Sequence, residues 1–488
     1  MINDPLILDA YEKWGDDCVK HLFGDFAFAI RDERNQRWFC ARDHFGVKPF
    51  YYTYIDDEFA FSSSLNELRL DPRVSNTLNE IAVGDYLLFG VNQDLSTTIF
   101  KDIQRLPPGH TLTVANGSIK IHRYWSPEPS AEVRFRNPQL YVERFSELLA
   151  QAVRDRVTTD RVAISMSGGL DSTSLAAIAH SQGKHVHAFA VVYDGLIPDE
   201  ERLYSSLAAD HLGIPITHLS ADRYDLFDGE LDQPEPFQIS PLTGQFNDLL
   251  RSSAGFSPVM LTGYDGDAFM NVPHRSRLSG VKKTVKRLLG KERAATESSI
   301  YSWLDESFAK RTHLAERWNR PSIDPASPAN PIWTALFEAY DSSSTGLNLE
   351  VRHPFIDVRL VEFLSSIPVR PWRVNKHILR EAMKNKLPPA VLNRRKTPLA
   401  GDPALQLVRR GGVRCATSFE VSPQLRAFVN LNRRRSLADE ETSDGLWANL
   451  RIFALNYWLT NSQPVVRRTS QTQITTVAAT KTSIAQTG

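Results

Sequence analysis

The sequence predicts an α/β protein: a doubly wound parallel sheet with a helical C-terminal part, preceded by a smaller β-rich region. Three observations predict it. Arg161-Val162-Ala163-Ile164 has the short β-branched character of a buried parallel strand, and a Gly-containing turn separates it from Thr173-Ser174-Leu175-Ala176-Ala177-Ile178-Ala179, which reads as a helix opening. Strands and helices then alternate: a strand over 186–193, a helix over 198–212 closed by Gly213, and strands over 214–219 and 259–262. Ahead of them, aromatic and β-branched strings recur with polar turns between, as hairpins do.

The elements follow in order. The region to residue 125 is expected to be β-rich with one early helix, which begins in Leu6-Ile7-Leu8-Asp9-Ala10-Tyr11 and ends at Gly15. Phe26-Ala27-Phe28-Ala29-Ile30, Arg37-Trp38-Phe39-Cys40-Ala41-Arg42 and Phe50-Tyr51-Tyr52-Thr53-Tyr54 read as successive strands, the first two joined by a turn at Asp32-Glu33-Arg34-Asn35-Gln36. Residues 110–125 give a further pair turning at Asn116-Gly117, a two-residue hairpin signal. Residues 126–140 form a Pro-rich polar linker, and a helix over 138–157 leads into the Gly-containing turn. The body of the chain is then 141–462. Within it, 275–293 carry eight Lys/Arg and one acid and read as a solvated insertion, 320–331 as a loop, and the chain from 332 as helical. The tail, 463–488, lacks aromatics and acids and is expected to be disordered.

At 488 residues the chain has room for two or three domains. Its 57 basic and 57 acidic residues balance, so nothing global points to nucleic acid or a membrane surface as partner. No apolar run approaches the ~18 residues a membrane span needs. Cys18, Cys40 and Cys415 fit neither zinc spacing nor a disulfide framework, which points to a reducing cytoplasm. Cys18 and Cys40 read as core thiols, and His44, beside Arg42 and Asp43, as part of a structural turn with an Arg–Asp pair.

The chemistry concentrates in Ser165-Met166-Ser167-Gly168-Gly169-Leu170-Asp171-Ser172. A strand, a glycine turn and a helix start aim backbone N–H groups and a positive helix end at one spot, which suits phosphate. The paired glycines let the backbone approach the anion, and Ser167 and Ser172 add hydroxyls. Asp171 would repel a bare phosphate, so it makes most sense holding Mg²⁺ that bridges phosphates. A second strand end, Val259-Met260-Leu261-Thr262, runs into Gly263-Tyr264-Asp265-Gly266-Asp267 and sets carboxylates at the same ligand edge.

Ser-Gly-Gly-Leu-Asp-Ser resembles the pyrophosphate-binding loop of the ATP pyrophosphatases, and the chain is most similar to their asparagine synthetase branch. Leu22-Phe23-Gly24-Asp25-Phe26-Ala27-Phe28-Ala29, Ala41-Arg42-Asp43-His44-Phe45-Gly46-Val47-Lys48-Pro49 and Leu106-Pro107-Pro108-Gly109-His110 resemble the later part of the family's glutaminase domain, an N-terminal-nucleophile fold. That domain uses a Cys after the initiator Met; here Ile2 follows Met1, so either the chain begins inside a longer protein or glutamine hydrolysis is lost.

The resemblance implies ATP and Mg²⁺ as cofactors. It assigns nucleotide contacts to Ser165, Ser167, Gly168, Gly169, Leu170, Asp171, Ser172, Val191, Thr262, Gly263 and Lys376, and metal to Asp171 and Asp267. Lys376 would meet pyrophosphate, and Lys396, in Asn393-Arg394-Arg395-Lys396-Thr397-Pro398, would stabilise the oxyanion and departing AMP. At Tyr264 the chain departs from asparagine synthetases, which carry Glu. β-Lactam and carbapenam synthetases carry Tyr and pair it with a Glu to deprotonate an amine; Glu350, in Leu349-Glu350-Val351-Arg352-His353-Pro354-Phe355, is expected to be that Glu. A packed aromatic lining an adenylate pocket is the other reading of Tyr264. The expected activity is amide formation through an acyl-adenylate, on a small-molecule or peptide carboxylate, a precursor peptide included. It would follow lasso-peptide cyclases and β-lactam synthetases. The alternatives are glutamine-hydrolysing asparagine synthesis and a non-catalytic nucleotide-binding scaffold. The resemblance leaves a homo-oligomer open.

Overall fold

The structure is a computed structural model that describes residues 5–127, 131–229, 233–272, 301–320, 327, 330–395, 400–411, 420–434, 436–440, 442–461 and 475–479. The chain opens with α1 (Pro5–Trp14), followed by β1 (Ala27–Asp32), β2 (Arg37–Arg42), β3 (Tyr51–Ile55) and β4 (Glu58–Ser62). Two helices come next, α2 (Leu65–Leu68) and α3 (Glu80–Phe89), then β5 (Gln104–Arg105), β6 (His110–Ala115) and β7 (Ser118–Arg123). Alternation along β1 divides its side chains between two cores. Ala27 and Ala29 meet Phe50, Tyr52 and Leu106 on one face, while Phe28 and Ile30 pack with Ile7, Tyr11 and Val19 on the other. Asn116 and Gly117 take φ of 49° and 70°, the left-handed pair that a tight hairpin between β6 and β7 requires.

The α3 helix was not foreseen. Ala82 to Leu88 are buried all round, so no amphipathic stripe marks it. Asn79 caps its start and Gly90, at φ 81°, ends it. Its Val83 and Leu87 share a core with Phe308, Leu314, Leu425 and Trp458, so the β-rich region and the C-terminal helices are packed as one body near α3.

The second half is built from α4 (Gln139–Arg156), β8 (Arg161–Ser165), α5 (Leu170–Ser181), β9 (His185–Val192), α6 (Glu201–Leu212) and β10 (Ile216–Ser220). Then come α7 (Thr243–Phe256), β11 (Val259–Thr262), α8 (Gly266–Met270) and β12 (Glu350–Arg352). The five strands are parallel in the order β10-β9-β8-β11-β12. The chain winds one way from β8 to β10 and the other way from β11 to β12, so a crevice opens at the carboxyl ends of β8 and β11. The doubly wound expectation therefore holds, with β12 as an extra edge strand too short to leave a periodic signal. Helix α6 starts at Glu201, not 198, because the Asp199 carboxylate takes the N–H groups of Tyr193 and Glu201. Gly213, at φ 66°, closes it as expected.

Buried ion pairs join the β-rich region to segments that flank the parallel sheet. Arg156 pairs with Asp25 at 2.9 Å and Asp357 at 2.7 Å, and Arg105 pairs with Glu338 at 2.9 Å and with Glu235. Arg42 donates to the carbonyls of Gly46, Lys48 and Leu106, while Asp43 accepts the N–H groups of Phe45, Val47 and Lys48. The turn at His44 is thus structural, with Arg42 and Asp43 taking separate hydrogen-bond partners. Burial raises the thiols of Cys18 and Cys40, in keeping with inert core cysteines. Cys415 and the basic stretch 275–293 lie outside the described residues. In the tail, β13 (Thr475–Ala479) pairs in parallel with β1, where disorder was expected. Thr475-Thr476-Val477 is β-branched, and the free edge of β1 offers it a ladder.

Candidate active site

Ser165 ends β8 in register with Phe189 of β9 and Thr262 of β11, so the chain segments after all three strands leave one edge of the sheet. The first forms the phosphate-loop candidate. Ser172 Oγ donates to the Ser167 carbonyl at 2.9 Å, and Ser167 Oγ accepts the Gly169 N–H at 3.3 Å, so the loop is tied to itself. Gly169 is the extended residue before α5 and has no side-chain cap, which leaves the first N–H groups of the helix to an anion. A Cβ on Gly168 would stand 2.3 Å from Tyr204 Cβ and 2.8 Å from Arg394 Nη1, so only glycine lets α6 lie this close. The Gly168 N–H points to the Glu201 carboxylate at 2.5 Å.

The second loop closes on the first. A Cβ on Gly263 would stand 2.7 Å from Ser172 N, and one on Gly266 would stand 2.8 Å from Asp171 Cγ. The two glycines therefore bring Asp171 and Asp267 to one place. Lys376 joins them there: its Nζ is 2.5 Å from Asp171 Oδ2 and 2.9 Å from Asp267 Oδ1. Asn375 and Lys376 both adopt left-handed backbone, which turns the ammonium back toward the loop. Among the described residues no group of three or more His, Cys, Asp or Glu could hold a metal alone. Two converging carboxylates facing a phosphate loop do fit Mg²⁺, which is bound by one or two carboxylates together with substrate phosphates. Val191 lies on β9 two residues beyond Phe189, toward the same edge, and is half-buried.

Tyr264 and Glu350 do not meet. Glu350 is in register with Val259, at the amino end of β11, while Tyr264 follows its carboxyl end. Glu350 pairs instead with Arg352 and lies 3.8 Å from Lys48. The expected Tyr–Glu pair is therefore corrected: strand register sets the two residues at opposite ends of the sheet. Facing Tyr264 is His353, at 6.4 Å between ring centres, and burial together with Asp265 pushes the phenol up to about 12. His353 shares a 2.7 Å hydrogen bond with Thr262, and burial brings its imidazole down to about 3, so it stays neutral. Burial pushes the Asp265 carboxyl up to about 7, against the Trp333 hydrogen bond, and the residue holds left-handed backbone at φ 60°. Sequence reasoning gave no role of their own to His353, Asp265, Glu201 and Arg394, although all but Glu201 stand in the strings quoted above. Lys396 lies outside the described residues.

Comparison with known proteins agrees with this architecture. Residues 144–460 match the family model described as asparagine synthase, and residues 5–125 match a glutamine amidotransferase domain. Glutamine-hydrolyzing asparagine synthetase 3 of Bacillus subtilis is 28% identical over 439 residues, covering 80% of this chain and 70% of that protein. A putative glutamine-hydrolyzing asparagine synthetase 2 of Methanocaldococcus jannaschii is 28% identical over 307 residues, covering 58% and 59%. Amidase chry2 of Gibberella zeae is 27% identical over 248 residues, covering 44% and 34%. With that match spanning residues 144–460, more than half of its 488 residues, the chain belongs to the asparagine synthase family of ATP-dependent amide-forming ligases.

Proposed function

We propose that this protein adenylates a carboxylate with Mg·ATP, releasing pyrophosphate, and transfers the acyl group to an amine with release of AMP. The observation that carries the reading is the convergence of Asp171, Asp267 and Lys376 beside the uncapped start of α5. The loop amides and the Ser167 and Ser172 hydroxyls hold the pyrophosphate end. Asp171 and Asp267 would hold Mg²⁺, which when bound neutralises phosphate oxygens as the leaving group departs. Lys376 adds a fixed positive charge from the protein side. Lys396, by family resemblance, does the same for the acyl oxyanion and AMP. Thr262, tied to His353, and Gly263, packed on Ser172, keep the second loop in place.

The finer reading is amide formation with an amine other than glutamine-derived ammonia, on a small-molecule or peptide carboxylate. Tyr264, half-buried beside Asp265 and neutral His353 at the carboxyl end of β11, supports it as the phenol that meets an entering amine. Without Glu350 beside it, the phenol orients the amine by hydrogen bonding. Asparagine synthesis is the second reading, favoured by the relatives that carry that name at 28% identity. The test is pyrophosphate release by the purified chain with Mg·ATP, L-aspartate and ammonium. Aspartate-dependent release with asparagine formed selects the second reading. Release that needs another carboxylate selects the first. No ATP–pyrophosphate exchange with any carboxylate overturns both.

A further inference from the structure

The face of α6 that packs on the phosphate loop carries an ion pair with no assigned role. Glu201, in the first turn of α6, accepts the Gly168 N–H at 2.5 Å through one oxygen and pairs with Arg394 Nη2 at 3.1 Å through the other. The Arg394 guanidinium lies over the Tyr204 ring at 4.2 Å, and its Nη1 fills the space that a Cβ on Gly168 would need. It is mostly buried, as is Glu201. The carboxylate thus stands on an amide of the candidate phosphate loop, and a planar cation stands beside it. Two further contacts hold the segment in place: Arg380 donates to the carbonyls of Leu392 and Arg394. The pair thus occupies an amide of the very loop read as the phosphate binder.

We propose that Arg394 is a phosphate-binding residue of the nucleotide site and that Glu201 is its competing anion. An entering phosphate oxygen takes the Gly168 N–H, the Glu201 carboxylate gives it up, and the guanidinium is shared with the phosphate. Two negative groups competing for one amide and one guanidinium weaken the hold on pyrophosphate, which favours its release as a product. The inference rests on the nucleotide reading of the loop.

The test is calorimetric titration of the full chain with inorganic pyrophosphate in the presence of Mg²⁺. Glu201→Gln keeps the shape and removes the competing charge, so pyrophosphate should bind about 3- to 10-fold more tightly. Arg394→Gln should weaken binding by about 10-fold or more, and Arg394→Lys should recover part of the loss. If Arg394→Gln does not fold, Glu201→Gln carries the test alone. Unchanged or weaker binding by Glu201→Gln overturns the inference, as does Arg394→Gln binding like the unsubstituted chain. An unsubstituted chain that takes up no pyrophosphate overturns the nucleotide reading together with the inference. Binding that ignores both substitutions overturns the inference only.

Discussion

Lys376 and Asp171, separated by 205 positions in the sequence, meet at 2.5 Å across the mouth of the phosphate loop. The ammonium also reaches Asp267, so one cation holds together two carboxylates from two different strand ends. One ammonium against two carboxylates leaves the cluster one charge negative, which suits an added cation, and removing one member changes its chemistry more than its fold.

Asp171→Ala should abolish adenylation. ATP–pyrophosphate exchange is expected to fall by on the order of ~10² or more, since phosphoryl-type chemistry depends on charge placed at the phosphates. The melting temperature should stay close to that of the unsubstituted chain, because Lys376 keeps Asp267. Exchange that persists removes Asp171 from the metal site.

Gly168→Ala should cost stability as well as nucleotide binding. The added methyl would sit 2.3 Å from Tyr204 Cβ, on a helix that cannot swing aside without opening the loop. Overpacking of this kind costs roughly 1–3 kcal/mol, readable by urea denaturation. Unchanged stability would mean that α6 and the loop are not in close contact.

Acid should weaken the joint between the β-rich region and the sheet. Burial alone would raise the Asp25 carboxyl, but Arg156 and Arg352 outweigh it and hold the group at about 2. A folded pKa below the unfolded value of ~3.9 means that the contribution is present above about pH 4. It is lost as pH falls through about 2, and amounts to about 2–3 kcal/mol in total. Asp25→Asn leaves Arg156 with less compensation and should destabilise the fold by roughly 3–5 kcal/mol at neutral pH. Denaturant midpoints of the variant and the unsubstituted chain between pH 7 and pH 2 should converge; parallel curves would refute the assignment.

Tyr264→Phe should lower amide formation by about 10-fold or more while ATP–pyrophosphate exchange survives, if the phenol handles the amine. Equal loss of both steps assigns Tyr264 to packing. Glu350→Gln serves as the contrast. Its carboxylate faces Arg352 and Lys48, so the substitution should lower stability and leave the ratio of the two steps unchanged.

What the sequence determined by itself was local. A β-branched strand, two glycines and a helix start within twenty residues made the strand–turn–helix unit of β8 and α5 legible, because the contacts that shape it are formed by near neighbours. The same holds for the Asn116-Gly117 hairpin and for the end of α6 at Gly213, where a left-handed backbone position selects the residue type. The tertiary structure alone decided which distant groups share the site. Register between β11 and β12 took Glu350 away from Tyr264 and put His353 there. The docking of α6 brought Glu201 to Gly168, a distant segment brought Arg394 to Glu201, and burial on all sides hid α3 from any periodic signal. A side chain's type and spacing record its neighbours along the chain. Its partners across a sheet are set by packing and register, which depend on every element at once.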